Sequence, residues 1–135
     1  MLAALSQSLA RGRPRVVILG SDVPDLPAAH VEELLGIDAD VAFGPAEDGG
    51  YYAISCRRSD PRMFDRVDWS TGEELEQTIA ACRRCGLTVA TGPSWHDVDT
   101  PADLERLARS PGLRRHTREW FKQYAPELLQ RPGGA

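Results

Sequence analysis

The run Arg15-Val16-Val17-Ile18-Leu19-Gly20 constrains this chain more than any other stretch. It is short, β-branched, free of polar alternation and stopped by glycine. Such a run predicts a strand buried on both faces, the situation of strands in parallel sheets. Two further strands follow from the same logic, Asp40–Gly44 and Leu87–Thr91, with a third candidate over Gly50–Cys56. Helical patterns alternate with them. Leu2, Leu5 and Leu9 recur at helical spacing, Val31, Leu34 and Leu35 form a stripe after Pro27, and Leu75, Ile79 and Cys82 form another before Gly86. Strands alternating with helices predict an α/β fold with a mostly parallel sheet flanked by helices.

Local signals set the helix ends. Thr71-Gly72-Glu73-Glu74 has the pattern of a capping box, in which the Thr71 hydroxyl accepts from the Glu74 amide and Glu74 reaches back. Thr100-Pro101-Ala102-Asp103 is a second start, with an N-cap, proline at the first position and an acid at the third, followed by inward Leu104 and Leu107. A final helix from about Arg114 carries Trp120, Tyr124 and Leu128 at i, i+4, i+8, and Trp120, Phe121 and Tyr124 read as core or a subunit contact. Residues 1–130 are expected to form one domain, and 131–135 a disordered tail.

Composition narrows the function. Sixteen basic and 20 acidic side chains leave a net charge of −4, which gives no bulk electrostatic support for nucleic-acid binding. No apolar stretch approaches the ~20 residues of a membrane span, and the N-terminus reads as an amphipathic helix without a basic leader, so cytoplasmic location is the expectation. Cys56, Cys82 and Cys85 are too few for a disulfide framework. Cys82-Arg83-Arg84-Cys85 lacks a second ligand pair for zinc and reads as two thiols near a helix end.

Chemistry-bearing residues gather where strands end, which is where open α/β sheets bind ligands. Asp22 follows strand and glycine in Gly20-Ser21-Asp22-Val23-Pro24. Its carboxylate there can hold Mg²⁺ or Mn²⁺, or it can cap the turn before the Pro27 helix. Glu47-Asp48-Gly49-Gly50 offers two acids for substrate hydroxyls, but Asp-Gly also makes a hairpin turn between flanking strands. In Asp97-Val98-Asp99 the two carboxylates share one side of an extended segment, as metal ligands or as acids favoured by the following helix dipole. His96 beside them reads as a structural hydrogen-bonder. Trp69-Ser70-Thr71 can line a pocket, and Ser70 has no evident His/Asp partner for nucleophilic catalysis.

Four segments in this order, Gly20-Ser21-Asp22-x-Pro24-Asp25-Leu26, Gly44–Tyr52, Trp69-Ser70-Thr71 and Trp95-x-Asp97-Val98-Asp99-Thr100-x-x-Asp103-Leu104, resemble the bacterial GT-A-like glycosyltransferase family of radical-SAM/selenodomain-associated transferases. That family is similar to phospholactate and molybdenum-cofactor guanylyltransferases. The resemblance runs from the first helix to Leu107 and implies a nucleotide-diphospho-sugar transferase fold. It implies catalytic roles for Asp22, Asp48 and Asp99, with Asp22, Asp97 and Asp99 on Mg²⁺ or Mn²⁺. Substrate contacts would come from Ser21, Glu47, Gly49, Gly50, Tyr51, Ser70 and Thr71. The implied partners are a nucleotide sugar or nucleoside triphosphate and a small acceptor.

Family members begin with a strand and a Lys/Gly/Arg-bearing loop that cradles the nucleotide, and this sequence has no counterpart. The expectation is therefore a fold truncated at its N-terminus, with an open sheet edge that favours a homo-oligomer or a complementing N-terminal chain. Two functions follow: a metal-dependent glycosyl or nucleotidyl transferase, or a non-catalytic remnant serving as a binding or assembly module.

Overall fold

The computed structural model describes residues 1–130; the expected tail at 131–135 lies outside them. In chain order the elements are α1 (Leu2–Ala10), β1 (Val16–Leu19), α2 (Ala28–Gly36), β2 (Val41–Pro45), β3 (Tyr51–Cys56), α3 (Glu74–Arg84), β4 (Val89–Thr91), α4 (Pro101–Ala108), α5 (Arg115–Tyr124) and α6 (Pro126–Gln130). All four strands form one sheet in the order β1-β3-β2-β4.

The sheet is mixed, which corrects the expectation of a mostly parallel one. β3 pairs antiparallel with both β1 and β2, and only β2 with β4 is parallel. β1, β2 and β4 thus share one direction, and β3 is a reversed strand between β1 and β2. The Asp48-Gly49 turn makes that reversal. A short connection can join antiparallel neighbours, whereas a parallel pair needs a crossover of a dozen residues or more. β1 also differs from the doubly buried strand expected: it lies at the sheet edge, half-buried, with Leu19 45% exposed.

A bulge breaks the alternation of β3. Gly44 pairs with Ala53 and Pro45 with Tyr51, so Tyr52 is the extra residue. As in other bulges, the side-chain faces are re-aimed there. Ile54, Cys56 and Tyr51 pack on one face with Val41 and Phe43 of β2, Leu5 of α1 and Cys82 of α3. Tyr52 and Ala53 join the opposite face with Ala42, Val23, Leu26 and Leu34 of α2. The Tyr52 ring lies across Gly44, where a Cβ would stand 2.3 Å from Cζ. Its hydroxyl donates to the Pro93 carbonyl at 2.9 Å, fastening the chain beyond β4.

Three local readings are corrected. Thr71 does not cap α3: the N-cap is Glu73, although Glu74 does reach back, accepting from the Thr71 amide at 2.6 Å and the Gly72 amide at 3.0 Å. Leu35 of the α2 stripe is 48% exposed, while Leu34 is fully buried. The final helix is two. α5 ends at Tyr124, Ala125 (φ −148°, ψ 54°) belongs to neither helix, and Pro126, with no amide hydrogen to donate, opens α6. Of the three aromatics expected in core or a contact there, Phe121 is the buried one, packing with Leu107, Leu113 and Ala125, while Trp120 and Tyr124 are exposed. By contrast, the Thr100 box forms as read, with Thr100 accepting from the Asp103 amide and Pro101 in the first turn.

Candidate metal centre and cleft

β1 stops at Leu19, and the Gly20 amide donates to the Tyr52 carbonyl at 2.8 Å as the last tie to the sheet. The chain then turns away and leaves Asp22 exposed at the strand's carboxyl end. The second acidic segment arrives from β4. Trp95 bridges to Ala46 beside the end of β2, through Trp95 N to Pro45 O at 3.0 Å and Glu47 N to Trp95 O at 3.1 Å. It runs on outside regular structure until Thr100 caps α4. Val98 N donates to Asp22 O at 3.0 Å, stitching the two acidic segments together.

The result is a cluster: one carboxylate oxygen from each of Asp22, Asp97 and Asp99 lies within 4.8 Å of the others. Burial pushes the Asp97 carboxyl above its ordinary range, and the charges of Asp48, Asp99 and Asp22 push it further. Like charges this close disfavour one another's ionisation, and a cation among them removes the penalty. Three hard oxygen donors with room for water or phosphate oxygens suit Mg²⁺ or Mn²⁺ better than softer metals. The donor set therefore fits the ion expected.

The cluster stands at one side of a cleft of about 630 Å³. Asp22, Asp97 and Asp99 line it together with Asp48, Gly50 and Tyr51 from the β2–β3 turn and Ser70 from the segment before α3. Asp48 Oδ1 accepts from the Gly50 amide at 2.9 Å, closing a local turn that leaves the second oxygen available. Tyr51 packs edge-on against Phe43 at 5.0 Å. Burial pushes its hydroxyl up to about 12, so it stays protonated as a donor. Ser70 sits at φ 64°, a left-handed backbone conformation uncommon outside glycine. Beside it the half-exposed Trp69 ring forms part of the wall.

Other expected site residues stand apart from this cleft. Glu47 is held outward by Arg106 through bonds of 2.7 and 3.1 Å, and the guanidinium keeps its carboxyl below the usual range. Ser21 and Thr71 are exposed and do not line it. Gly49, at φ 94°, serves the turn: its carbonyl accepts from Leu75 N at 3.1 Å and its α-carbon faces Gly72.

Two groups escaped the sequence reading. Glu74 lines the cleft while its carboxylate gathers amide hydrogens, its own first and then those of Thr71 and Gly72, which hold it well ionised. The capping pattern had identified it only as a helix start. Asp25, 3% exposed, accepts from the Trp95 indole at 3.2 Å. Its motif was visible, but nothing local tells a buried aspartate from a surface one.

The cysteines take no part: Cys56 and Cys82 are buried, and burial pushes their thiols up to about 12 and about 11. Among the described residues no helix is long and apolar enough to cross a membrane.

Comparison with known proteins places the family and the fold. The model of a family described as "Uncharacterized protein conserved in bacteria (DUF2064)" matches residues 1–71 of the 135. A crystal structure from Desulfovibrio desulfuricans G20, described as a candidate nucleotide-diphospho-sugar transferase, is 36% identical and superposes with a TM-score of 0.83. The alignment covers 96% of this chain and 60% of that one, so the chain spans less than two thirds of its relative's length. No curated protein matches the sequence.

Proposed function

The chain belongs to the bacterial DUF2064 family, and from that premise we propose that it is the metal-and-acceptor side of a transferase using a nucleotide-activated donor. The observation that carries this reading is the convergence of Asp22, Asp97 and Asp99 at the edge of a cleft large enough for a sugar-sized group. The likeness to the Desulfovibrio protein supports the donor class. Radical-SAM/selenodomain-associated transferases and the related guanylyltransferases remain the subtypes proposed, with cytoplasmic action on a nucleotide sugar or nucleoside triphosphate.

In this reading Asp22, Asp97 and Asp99 would hold Mg²⁺ or Mn²⁺, and such an ion, when bound, supplies positive charge to a diphosphate leaving group. The chain's own groups do the rest. Asp48 accepts a proton or hydrogen bond from an acceptor hydroxyl through the oxygen not engaged by Gly50. The Gly50 backbone lets a ligand approach closely, and Gly49 shapes the turn that presents it. Tyr51 and Ser70 line the cleft; contacts from Ser21, Thr71 and Glu47, which stand apart from it, would require the substrate to extend beyond it. Tyr51 and Trp69 supply apolar walls that exclude water from the reacting centre.

Calorimetric titration with nucleotide sugars and nucleoside triphosphates, each with and without Mn²⁺, tests the reading. Metal-dependent binding that disappears in Asp22→Ala is the expected result. Binding without turnover would favour the non-catalytic module instead, and no binding by the folded chain would reject the donor site.

A further inference from the structure

We infer that Asp25 is a positioning residue for the acidic cluster: its buried carboxylate clamps the segment carrying Asp97 and Asp99 against the loop carrying Asp22. The inference rests on the reading of that cluster as a cation site.

Asp25 lies in the Asp22 loop, between β1 and α2, and is 3% exposed. Its Oδ1 accepts from Trp95 Nε1 at 3.2 Å. Its Oδ2 stands 3.4 Å from Nε2 of His96, itself 7% exposed. Among the described residues neither of those two atoms has a hydrogen-bond partner. The Trp95 ring is stacked on His96 at 4.7 Å and tilted against His30 of α2 at 5.1 Å. One carboxylate therefore faces both residues that immediately precede Asp97.

A carboxylate is a costly group to bury, and an apolar residue would fill this place without that cost. What the carboxylate adds is direction. Trp95 is already tied to the end of β2 by its backbone, so fixing its indole to Asp25 sets the distance between that strand end and the Asp22 loop. The need for such a clamp is electrostatic. Three carboxylates drawn within 4.8 Å repel one another, and the backbone bond from Val98 N to Asp22 O opposes the splaying of their segments. Cation sites depend on groups behind the ligands to hold them in place, and losing such a group typically weakens metal binding about 10–100-fold.

The test is Mn²⁺ affinity, read from free Mn²⁺ by electron paramagnetic resonance, in the wild type, Asp25→Ala, Asp25→Asn and Trp95→Phe. Each is first melted in EDTA to establish that it is folded at the temperature of the titration. Asp25→Ala and Trp95→Phe are expected to weaken Mn²⁺ about 10–100-fold. Asp25→Asn, which still offers an acceptor to the indole, keeps most of the affinity. Should Asp25→Ala not fold, Trp95→Phe decides, because it keeps an aromatic ring at the site while removing the indole N–H donor. Wild-type binding with equal affinity in the folded Trp95→Phe and Asp25→Ala would overturn the clamp and leave the cation site standing. A folded wild type that binds no Mn²⁺ would overturn both.

Discussion

The amide of Val98 donates to the carbonyl oxygen of Asp22 at 3.0 Å, so the two segments that carry the acidic cluster are joined backbone to backbone between their carboxylates. The backbone brings the charges together, and their mutual repulsion is the cost. Asp99→Asn should therefore leave the protein in EDTA as stable as the wild type or more so. It should also lose the stabilisation that Mn²⁺ gives. For the wild type that stabilisation is about 2.7 kcal/mol at a hundredfold excess over Kd, or several degrees in Tm. Scanning calorimetry with and without Mn²⁺ checks this, and an equal shift in the variant would remove Asp99 from the site.

Two carboxyls on the cleft should give opposite pH dependences. Asp97 has a folded pKa raised by burial and then by its acidic neighbours. Its contribution is present below its unfolded value and lost as pH rises through the folded one. Glu74 is lowered by amide hydrogen bonds, so its contribution is present above its unfolded value and lost as pH falls through the folded one. In metal-free melts from about pH 3 to 7, a range spanning ordinary carboxyl values, Asp97→Asn should gain most at the high end. Glu74→Gln should lose most at the same end. The same sign for both variants would contradict the assignment.

Gly49→Ala should be among the most damaging single substitutions. The residue sits at φ 94°, and an added Cβ would meet the Gly72 carbonyl oxygen at 1.9 Å, backbone against backbone. Strain at such a φ costs on the order of 1–3 kcal/mol before any clash is counted. Urea unfolding would measure it. A loss under about 1 kcal/mol would mean the β2–β3 turn and the segment before α3 do not pack this closely.

Phe121→Ala should cost about 3–5 kcal/mol, the usual range for emptying a buried aromatic site. Phe121 is fully buried at the centre of the α4–α6 cluster with Leu107 and Leu113. Trp120→Ala, on the exposed side of the same helix, should cost far less. Chemical denaturation of the two variants side by side would show whether the ranking holds.

At pH 8 a thiol reagent should label Cys85 first. It is the partly exposed cysteine, whereas Cys56 and Cys82 are buried with thiols pushed up to about 12 and about 11. Those two should react only as the protein unfolds. Rapid labelling of all three in the native protein would be inconsistent with this core.

Much of the site was legible because its parts are local. A strand followed by glycine and an acid, an alternating Asp97-Val98-Asp99, and Thr100-Pro101-Ala102-Asp103 each declare their local structure within a few residues. The hairpin alternative for Asp48-Gly49 also proved to be the turn that forms. The mostly parallel sheet did not follow, because a strand run does not reveal its partner. The single long C-terminal helix failed at Pro126, where the apolar spacing continues but the backbone donor is missing.

What the sequence alone determined is where strands stop, where α4 starts, and that acids stand at those ends. These outcomes depend on short-range effects: apolar runs, caps, and the backbone preferences of glycine and proline. The insertion of β3 between β1 and β2, the bulge that turns Tyr52 over Gly44, and the outward fate of Glu47 were decided only in the tertiary structure. So was the meeting of Asp22 with Asp97 and Asp99, and the burial of Asp25 beneath Trp95. Each of these depends on pairing register and on which distant surfaces pack together, and neither is encoded in any one segment.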